Sequence, residues 1–448
     1  MTKKESKGAW KPIIYPVLML LSGLTFLFTI LAMILMITLK PSLKIGKLSF
    51  QTFWVVTLIG AIVVLATGQV DFSSLWSSLT SGEMNPLKIL ALFLSLSLIS
   101  ISLDELGFFH YLSSRALERS KGSQYKIFFT LYGLVSLLTI FTSNDIVILT
   151  FTPFIILFSK KAKINPLPYL IAEFVNANTY SMLLSIGNPT NIYLSASEGI
   201  TFLAYLSKMW LPTLLGGLST LGVILLLFHK DLSKPIEEVE MKEEKLPNKP
   251  LIIINLVALG LALASLIVAN YVPIESYLVM LGLALSLFVC ISILSRSKSY
   301  VLDVAKRLPY NLIPFVLSMF LLVFSLKENG IVAYLQQALD ALAVNPWAEG
   351  YAYALSSTLF DNLINNIPMS ILYSSILEGK SELAIYATIL GSNIGAYLTP
   401  IGALAGIMWM SILKKHQVDF SFLSFMKYGA ILVPVALVFS TLGLIALC

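Results

Sequence analysis

The sequence predicts an all-α polytopic membrane protein built of two inverted repeats, each with about five transmembrane helices and one re-entrant hairpin. Three observations carry that expectation. Of 448 residues, 57% are hydrophobic and only 12% charged, which is more apolar surface than one water-soluble core can bury. One long charged stretch, HKDLSKPIEEVEMKEEKLPNKP at 229–250, divides the apolar runs into two sets. Each set then contains, in the same order, two apolar segments broken near their middles by polar residues.

Apolar runs of about 20 residues suffice to cross the hydrocarbon, and Thr52 to Val70, Leu251 to Ala269 and Ser276 to Leu294 are examples. The run Ile13 to Leu39 follows Lys3, Lys4, Lys7 and Lys11. It is too long for a signal-peptide core and lacks a small-residue cleavage site, so a retained helix is expected. The formal charge of +6 is carried by short loops, where lysine and arginine set orientation rather than recruit nucleic acid. Cys290 and Cys448 stand far apart in apolar surroundings, so neither a disulfide framework nor a thiolate metal site is expected. The charged stretch has no apolar periodicity and reads as a solvated cytoplasmic linker between a first repeat (1–228) and a second (251–448).

Ser219-Thr220-Leu221-Gly222 recurs as Ser440-Thr441-Leu442-Gly443, and Phe202-Leu203 as Phe422-Leu423, at an offset of 220 or 221 residues. The first hairpin is expected over about 127–160, interrupted at Thr142-Ser143-Asn144-Asp145 and followed by Pro153. The second is expected over about 350–378, interrupted at Asp361-Asn362 and continuing to Asn365-Asn366 and Pro368. Gly187-Asn188-Pro189-Thr190-Asn191 supplies the first later loop. Gly391-Ser392-Asn393, running on to Thr399-Pro400-Ile401-Gly402, supplies the second. Such paired interruptions are the sequence trace of an inverted-repeat secondary transporter in the inner membrane.

Charge agrees with inversion. Arg115, Arg119, Lys121 and Lys126 precede the first hairpin and Lys160, Lys161 and Lys163 follow it, so it should enter from the cytoplasm. Asp340, Glu349, Glu378 and Glu382 flank the second, with Lys380 the one basic residue, so it should enter from outside. The count places the linker, the Arg296 to Arg307 loop and Lys414-Lys415-His416 inside, and Asp71 to Glu83 outside. It also places the lysine-rich N-terminus outside, against the positive-inside rule. Either an early segment is miscounted or Ile13 to Leu39 folds back.

In hydrocarbon an unpaired backbone group costs several kcal/mol, so the breaks mark a protein-lined or wet chamber. Helix N-termini there offer N–H groups to anions, while carbonyls and short polar side chains can hold cations. The candidate substrate- and ion-binding residues are therefore Ser143, Asn144, Asp145, Asn188, Thr190, Asn191, Asp361, Asn362, Asn393, Thr399 and Gly402. The plainer alternative is that they cap hairpins or bridge packed helices. Glu173, with Asn176 on the same helix face, is a candidate proton carrier; its alternative is a side chain reaching cytoplasmic water. Asp104-Glu105 reads as a structural pairing with Arg115. His110, His229 and His416 lack metal-ligand spacing, so no metal site is expected. Gly379-Lys380-Ser381 lacks the upstream glycine of a phosphate loop, and neither HExxH nor GxSxG occurs, so an enzyme is not expected. No cofactor is expected, and H+ or Na+ would be the coupling ion. A passive channel would not need two mobile hairpins.

SLDELGFFHYL, TSNDIVILTFTPF, IGNPTNIYLS and SNIGAYLTPIGALAGIMWMSILKK together resemble the arsenite/antimonite permease branch of the ion transporter superfamily. That superfamily also holds citrate, dicarboxylate and sulfate carriers and a sodium/proton antiporter group. The resemblance runs from about Leu87 to the C-terminus. It implies an inverted-repeat fold, a homodimer as in many relatives, and a small inorganic or organic anion bound between hairpin tips and unwound loops. It puts Ser143-Asn144 and Gly187 to Asn191 on one side of that site, and Asp361-Asn362 and Thr399 to Gly402 on the other. An ATPase subunit is left open. Ser143-Asn144-Asp145 and Phe360-Asp361-Asn362 stand where sodium-coupled dicarboxylate carriers have Ser-Asn-Thr. The expectation is thus an ion-coupled permease of a small inorganic anion or its neutral acid, with arsenite or antimonite as the family's suggestion. The alternatives are a sodium-coupled di- or tricarboxylate or sulfate symporter, or a sodium/proton antiporter.

Overall fold

Most helices begin where the sequence supplies a capping oxygen. Asn85 and Asn345 accept from the N–H groups of Leu87 and Ala348, each at 2.9 Å, directly ahead of Pro86 and Pro346; the proline fixes a helical φ and has no N–H to orphan. The computed structural model describes residues 11–40, 42–45, 48–80, 85–118, 122–236, 248–272, 275–295 and 297–448.

The chain opens with α1 (Lys11–Leu39), one continuous helix, so the fold-back alternative does not hold. A two-stranded hairpin departs from the all-α expectation: β1 (Ser42–Ile45) pairs antiparallel with β2 (Leu48–Gln51), Ser42 opposite Gln51 and Ile45 opposite Leu48. The alternation of Ser-Leu-Lys-Ile with Leu-Ser-Phe-Gln is strand patterning, too short to register among long apolar runs. Next come α2 (Thr52–Ala66), α3 (Phe72–Thr80), α4 (Pro86–Glu105) and α5 (Phe108–Glu118). The first broken hairpin is α6 (Gln124–Phe141) with α7 (Asn144–Lys161). The first broken span is α8 (Leu167–Tyr180), a short 3-10 turn and α9 (Pro189–Ser197), followed by α10 (Phe202–Leu232).

The second half repeats that order: α11 (Lys249–Val268), α12 (Ser276–Leu294), α13 (Lys298–Arg307), α14 (Leu312–Glu328) and α15 (Ile331–Leu342). The hairpin is α16 (Pro346–Ile364) with α17 (Asn366–Ile376), then come α18 (Glu382–Gly395), α19 (Leu404–Lys415) and α20 (Phe422–Ile445). Among the described residues, eight helical stretches are long and apolar enough to cross a membrane. Large apolar side chains such as Leu226, Ile293 and Leu363 are exposed, a surface that lipid solvates and water does not. This is a multi-pass membrane protein.

Several boundaries differ from expectation. Helix α10 continues through His229 to Leu232, and α11 begins at Lys249, so the segment between them is shorter than 229–250; residues 237–247 lie outside the described set. The expected Arg296 to Arg307 loop is helix α13 from Lys298 onward. Arg296, Arg119, Lys121, residues 81–84 and the N-terminal lysines Lys3, Lys4 and Lys7 lie outside the described residues.

Contacts tie the helix ends into two sets. At one end Arg307 bridges Asp104 and Glu105 of α4, at 2.7 and 2.6 Å, and Lys160 donates to the His416 carbonyl at 2.8 Å. The pairing of Asp104-Glu105 is thus with Arg307, while Arg115 pairs with Glu118 on its own helix. Sequence distance hid the true partner. At the other end Lys88 meets Glu275 at 3.2 Å, Lys208 donates to the Leu447 carbonyl at 2.7 Å, and Asn329 donates to the Gln69 carbonyl at 2.9 Å.

Candidate functional site

At the tip of the first hairpin the chain leaves helical geometry at Thr142 and re-enters it after Ser143. The Asn144 backbone N–H donates to the Gly187 carbonyl at 3.2 Å, and its side-chain amide donates to Asn178 Oδ1 at 3.0 Å. Gly187 is required here: a Cβ would lie 2.8 Å from the Ser181 carbonyl carbon. Beyond it Asn188 caps α9, accepting from the Thr190 N–H at 3.2 Å.

Asn393 joins the two halves. Its Oδ1 accepts from Asn188 Nδ2 at 3.2 Å and Ser181 Oγ at 3.0 Å, and its Nδ2 donates to Asn191 Oδ1 at 2.6 Å and to the Ile389 carbonyl at 2.8 Å. Beside it Ser392 Oγ donates to Thr190 Oγ1 at 3.2 Å. Asn188, Thr190, Asn191 and Asn393 are all buried, so four of the sequence candidates form one satisfied network. Asn393 was expected in a loop. It sits instead in the last turns of α18, where the i−4 carbonyl of Ile389 takes one amide proton.

The second hairpin breaks later than expected. Asp361 and Asn362 lie within α16, and the chain leaves the helix at Asn365, at φ 75°. Asparagine tolerates a positive φ better than most residues. Asn365 caps α17 and donates to the Ile401 carbonyl at 2.9 Å, while the Asn366 N–H donates to the Gly402 carbonyl at 3.0 Å. Asn362 staples the hairpin to the loop. It accepts from Thr399 Oγ1 at 2.7 Å and donates to the Gly395 carbonyl at 3.0 Å. Asn362, Thr399 and Gly402 therefore form a second cluster, distinct from the Asn393 node. Gly402 is needed for it, since a Cβ there would lie 2.8 Å from Asn362 Oδ1.

The acids differ sharply. Asp145, half-buried, follows Ser143 into a cavity of about 950 Å³ also lined by Lys306, Arg307 and Lys414. Glu173 is 2% exposed and does not reach water: it accepts from Thr152 Oγ1 at 3.0 Å and Trp409 Nε1 at 3.1 Å. Asn176 turns from it, donating to the Tyr132 carbonyl at 2.7 Å. Asp361 is wholly buried, and neither carboxyl oxygen has a hydrogen-bond partner. A second cavity, of about 350 Å³, touches the first broken span from the opposite end, with Ser185, Ile186, Lys88 and Glu275 in its wall. Asn178, Ser181 and Trp409 escaped the sequence reading. Asn178 carries a signal in retrospect, since it lies in the same polar run, NANTYS, as Asn176.

The sequence model of the citrate transporter family matches residues 34–386. The arsenical pump membrane proteins of Escherichia coli (strain K12) and Shigella flexneri are each 27% identical over 447 residues, covering 96% of this chain and 99% of theirs. The crystal structure of the Alcanivorax borkumensis YdaH transporter, described as having an unusual topology, aligns with a TM-score of 0.57 at 13% identity over 96% of this chain and 98% of that one; the likeness concerns the fold alone.

Proposed function

This chain belongs to the citrate transporter family, and from that premise we propose that it is an ion-coupled secondary transporter whose halves are inverted repeats around a shared site. The observation that carries the reading is a pair of matching closures. The N–H beginning the second arm of each hairpin bonds a glycine carbonyl of the loop in its own half, Asn144 to Gly187 at 3.2 Å and Asn366 to Gly402 at 3.0 Å. Asn178 and Asn393 correspond in the same way, each donating to the i−4 carbonyl at 2.8 Å. Broken backbone of this kind persists in a membrane where it is buried in protein or lines a wet cavity, and breaks paired across two repeats accompany the binding site of an inverted-repeat transporter. Lys306, Arg307 and Lys414 in the wall of the 950 Å³ cavity support a cytoplasmic opening for it.

The substrate we assign is a small inorganic anion or its neutral acid, arsenite or antimonite, which the names of the bacterial relatives support. A di- or tricarboxylate is the second reading, supported by the basic wall of the cavity at Lys306, Arg307 and Lys414. Thermal stability of the purified protein against arsenite, citrate, succinate, sulfate, sodium and pH separates them, because a ligand that binds the folded form raises its apparent stability. A shift with arsenite alone supports the first reading, and one with citrate or succinate supports the second. No shift with any anion contradicts both.

A further inference from the structure

Three acids stand within the helical body, and their surroundings divide them. Asp145 lines an open cavity, where water can solvate it. Both oxygens of Glu173 are taken by Thr152 and Trp409, side chains of α7 and α19. Asp361 is wholly buried, and neither of its oxygens is paired in a hydrogen bond. An ionised carboxylate in such a place, with no countercharge, is among the most expensive arrangements a protein can hold.

The neighbours of Asp361 supply no countercharge and one nearby hydroxyl, that of Ser392. It sits in the close contact of α16 with α18 that the Gly391-Ser392-Asn393-Ile394-Gly395 sequence permits; a Cβ on Gly395 would lie 2.8 Å from Asp361 Oδ2 and 3.0 Å from Thr358 Cα. The Ser392 hydroxyl is next to the carboxyl, and Tyr373 of α17 is within electrostatic reach. The other acids on the packed elements stand at the helix ends and are occupied: Glu349 by Ser381 at 2.7 Å, Asp340 by Lys380 at 2.6 Å, and Glu382 by Lys208 at 3.8 Å. Tyr386 of α18 packs against Tyr205 of α10 instead. Lys427 and Tyr428 belong to α20, and Tyr428 stacks on Phe420 and Phe228. A coordinated cation needs several oxygen ligands arranged around it. A proton needs only the carboxyl oxygen. Ser392 in turn donates to Thr190, so the carboxyl lies one hydroxyl away from the network that joins the two halves.

We infer that Asp361 is the residue that takes up and releases the coupling proton, an inference that rests on the chain being a transporter. The proton leaves the carboxyl for water when the α16–α18 contact opens toward one face, and is regained from the other face. Glu173 and Asp145 then have different tasks: Glu173 locks α7 to α19, and Asp145 faces the cytoplasmic cavity.

The test compares wild type, Asp361→Asn, Asp361→Thr and Glu173→Gln in liposomes, with arsenite and citrate as probes. Asp361→Asn and Asp361→Thr should lose accumulation driven by a pH gradient yet keep exchange of labelled for unlabelled substrate, because exchange needs no net proton movement. Glu173→Gln should keep both. Infrared spectra should show a carboxylic-acid carbonyl band at neutral pH that is absent from the Asp361 variants and present in Glu173→Gln. Gradient-driven accumulation by folded Asp361 variants, loss of exchange in both, or a band that vanishes only in Glu173→Gln would each overturn the assignment. Wild type that moves neither probe would sink the transport reading itself, and the infrared comparison would still decide whether Asp361 holds a proton.

Discussion

At the tip of the first hairpin, Ser143 and Asp145 line a cavity of about 950 Å³, whereas at the tip of the second, Asn365 and Asn366 are buried and tied to the carbonyls of Ile401 and Gly402. Five residues before the closing N–H of each hairpin stands a buried side chain with unpartnered oxygen, Thr139 in the first and Asp361 in the second. On the proposed reading the hairpins divide the labour: access would lie with the first, beside Asp145, and the proton-carrying acid in the second. The proposed transporter would show this asymmetry in one of its alternating conformations.

The largest expected effect falls on the node that joins the two broken spans. Asn393→Ala strands Asn188 Nδ2 and Asn191 Oδ1, while Ser181 keeps the Asn178 carbonyl, and should cost about 2–4 kcal/mol, together with loss of flux; chemical or thermal unfolding in detergent measures it. Asn362→Ala cuts the second hairpin from Thr399 and should abolish flux at normal expression, read from liposome uptake and a blot. In a background lacking Cys290 and Cys448, Ser143→Cys should react with a membrane-impermeant maleimide from the cytoplasmic side, while Asn365→Cys should be protected; equal labelling would erase the contrast. Glu173→Gln leaves an amide facing the Thr152 or Trp409 donor and should lower stability by about 1–3 kcal/mol. The feet of the hairpins matter least. Lys160→Ala and Lys380→Ala remove exposed contacts and should each cost under about 1 kcal/mol in the same unfolding assay.

The sequence makes the order of elements legible because lipid demands long apolar runs and polar interruptions stand out within them. It does not locate the second break. Asp361-Asn362 and Asn365-Asn366 are the same kind of residues, and only the backbone decides that Asn362 stays helical while Asn365 takes a positive φ. Nor can local patterning find the partners of buried charge: Arg307 lies some two hundred residues from Asp104, and Trp409 as far again from Glu173. The amphipathic helices α5, α13 and α15 merge with loops in the sequence because they are short and carry charge.

The central claim is that the site lies where the broken spans of the two halves share Asn188 and Asn393. Initial rates of arsenite and citrate flux into liposomes, measured over a concentration series for wild type and Asn188→Ala at equal protein content, test it most directly. Saturable, gradient-dependent wild-type flux that Asn188→Ala abolishes is the expected result. Wild-type rates in the variant would place the site elsewhere.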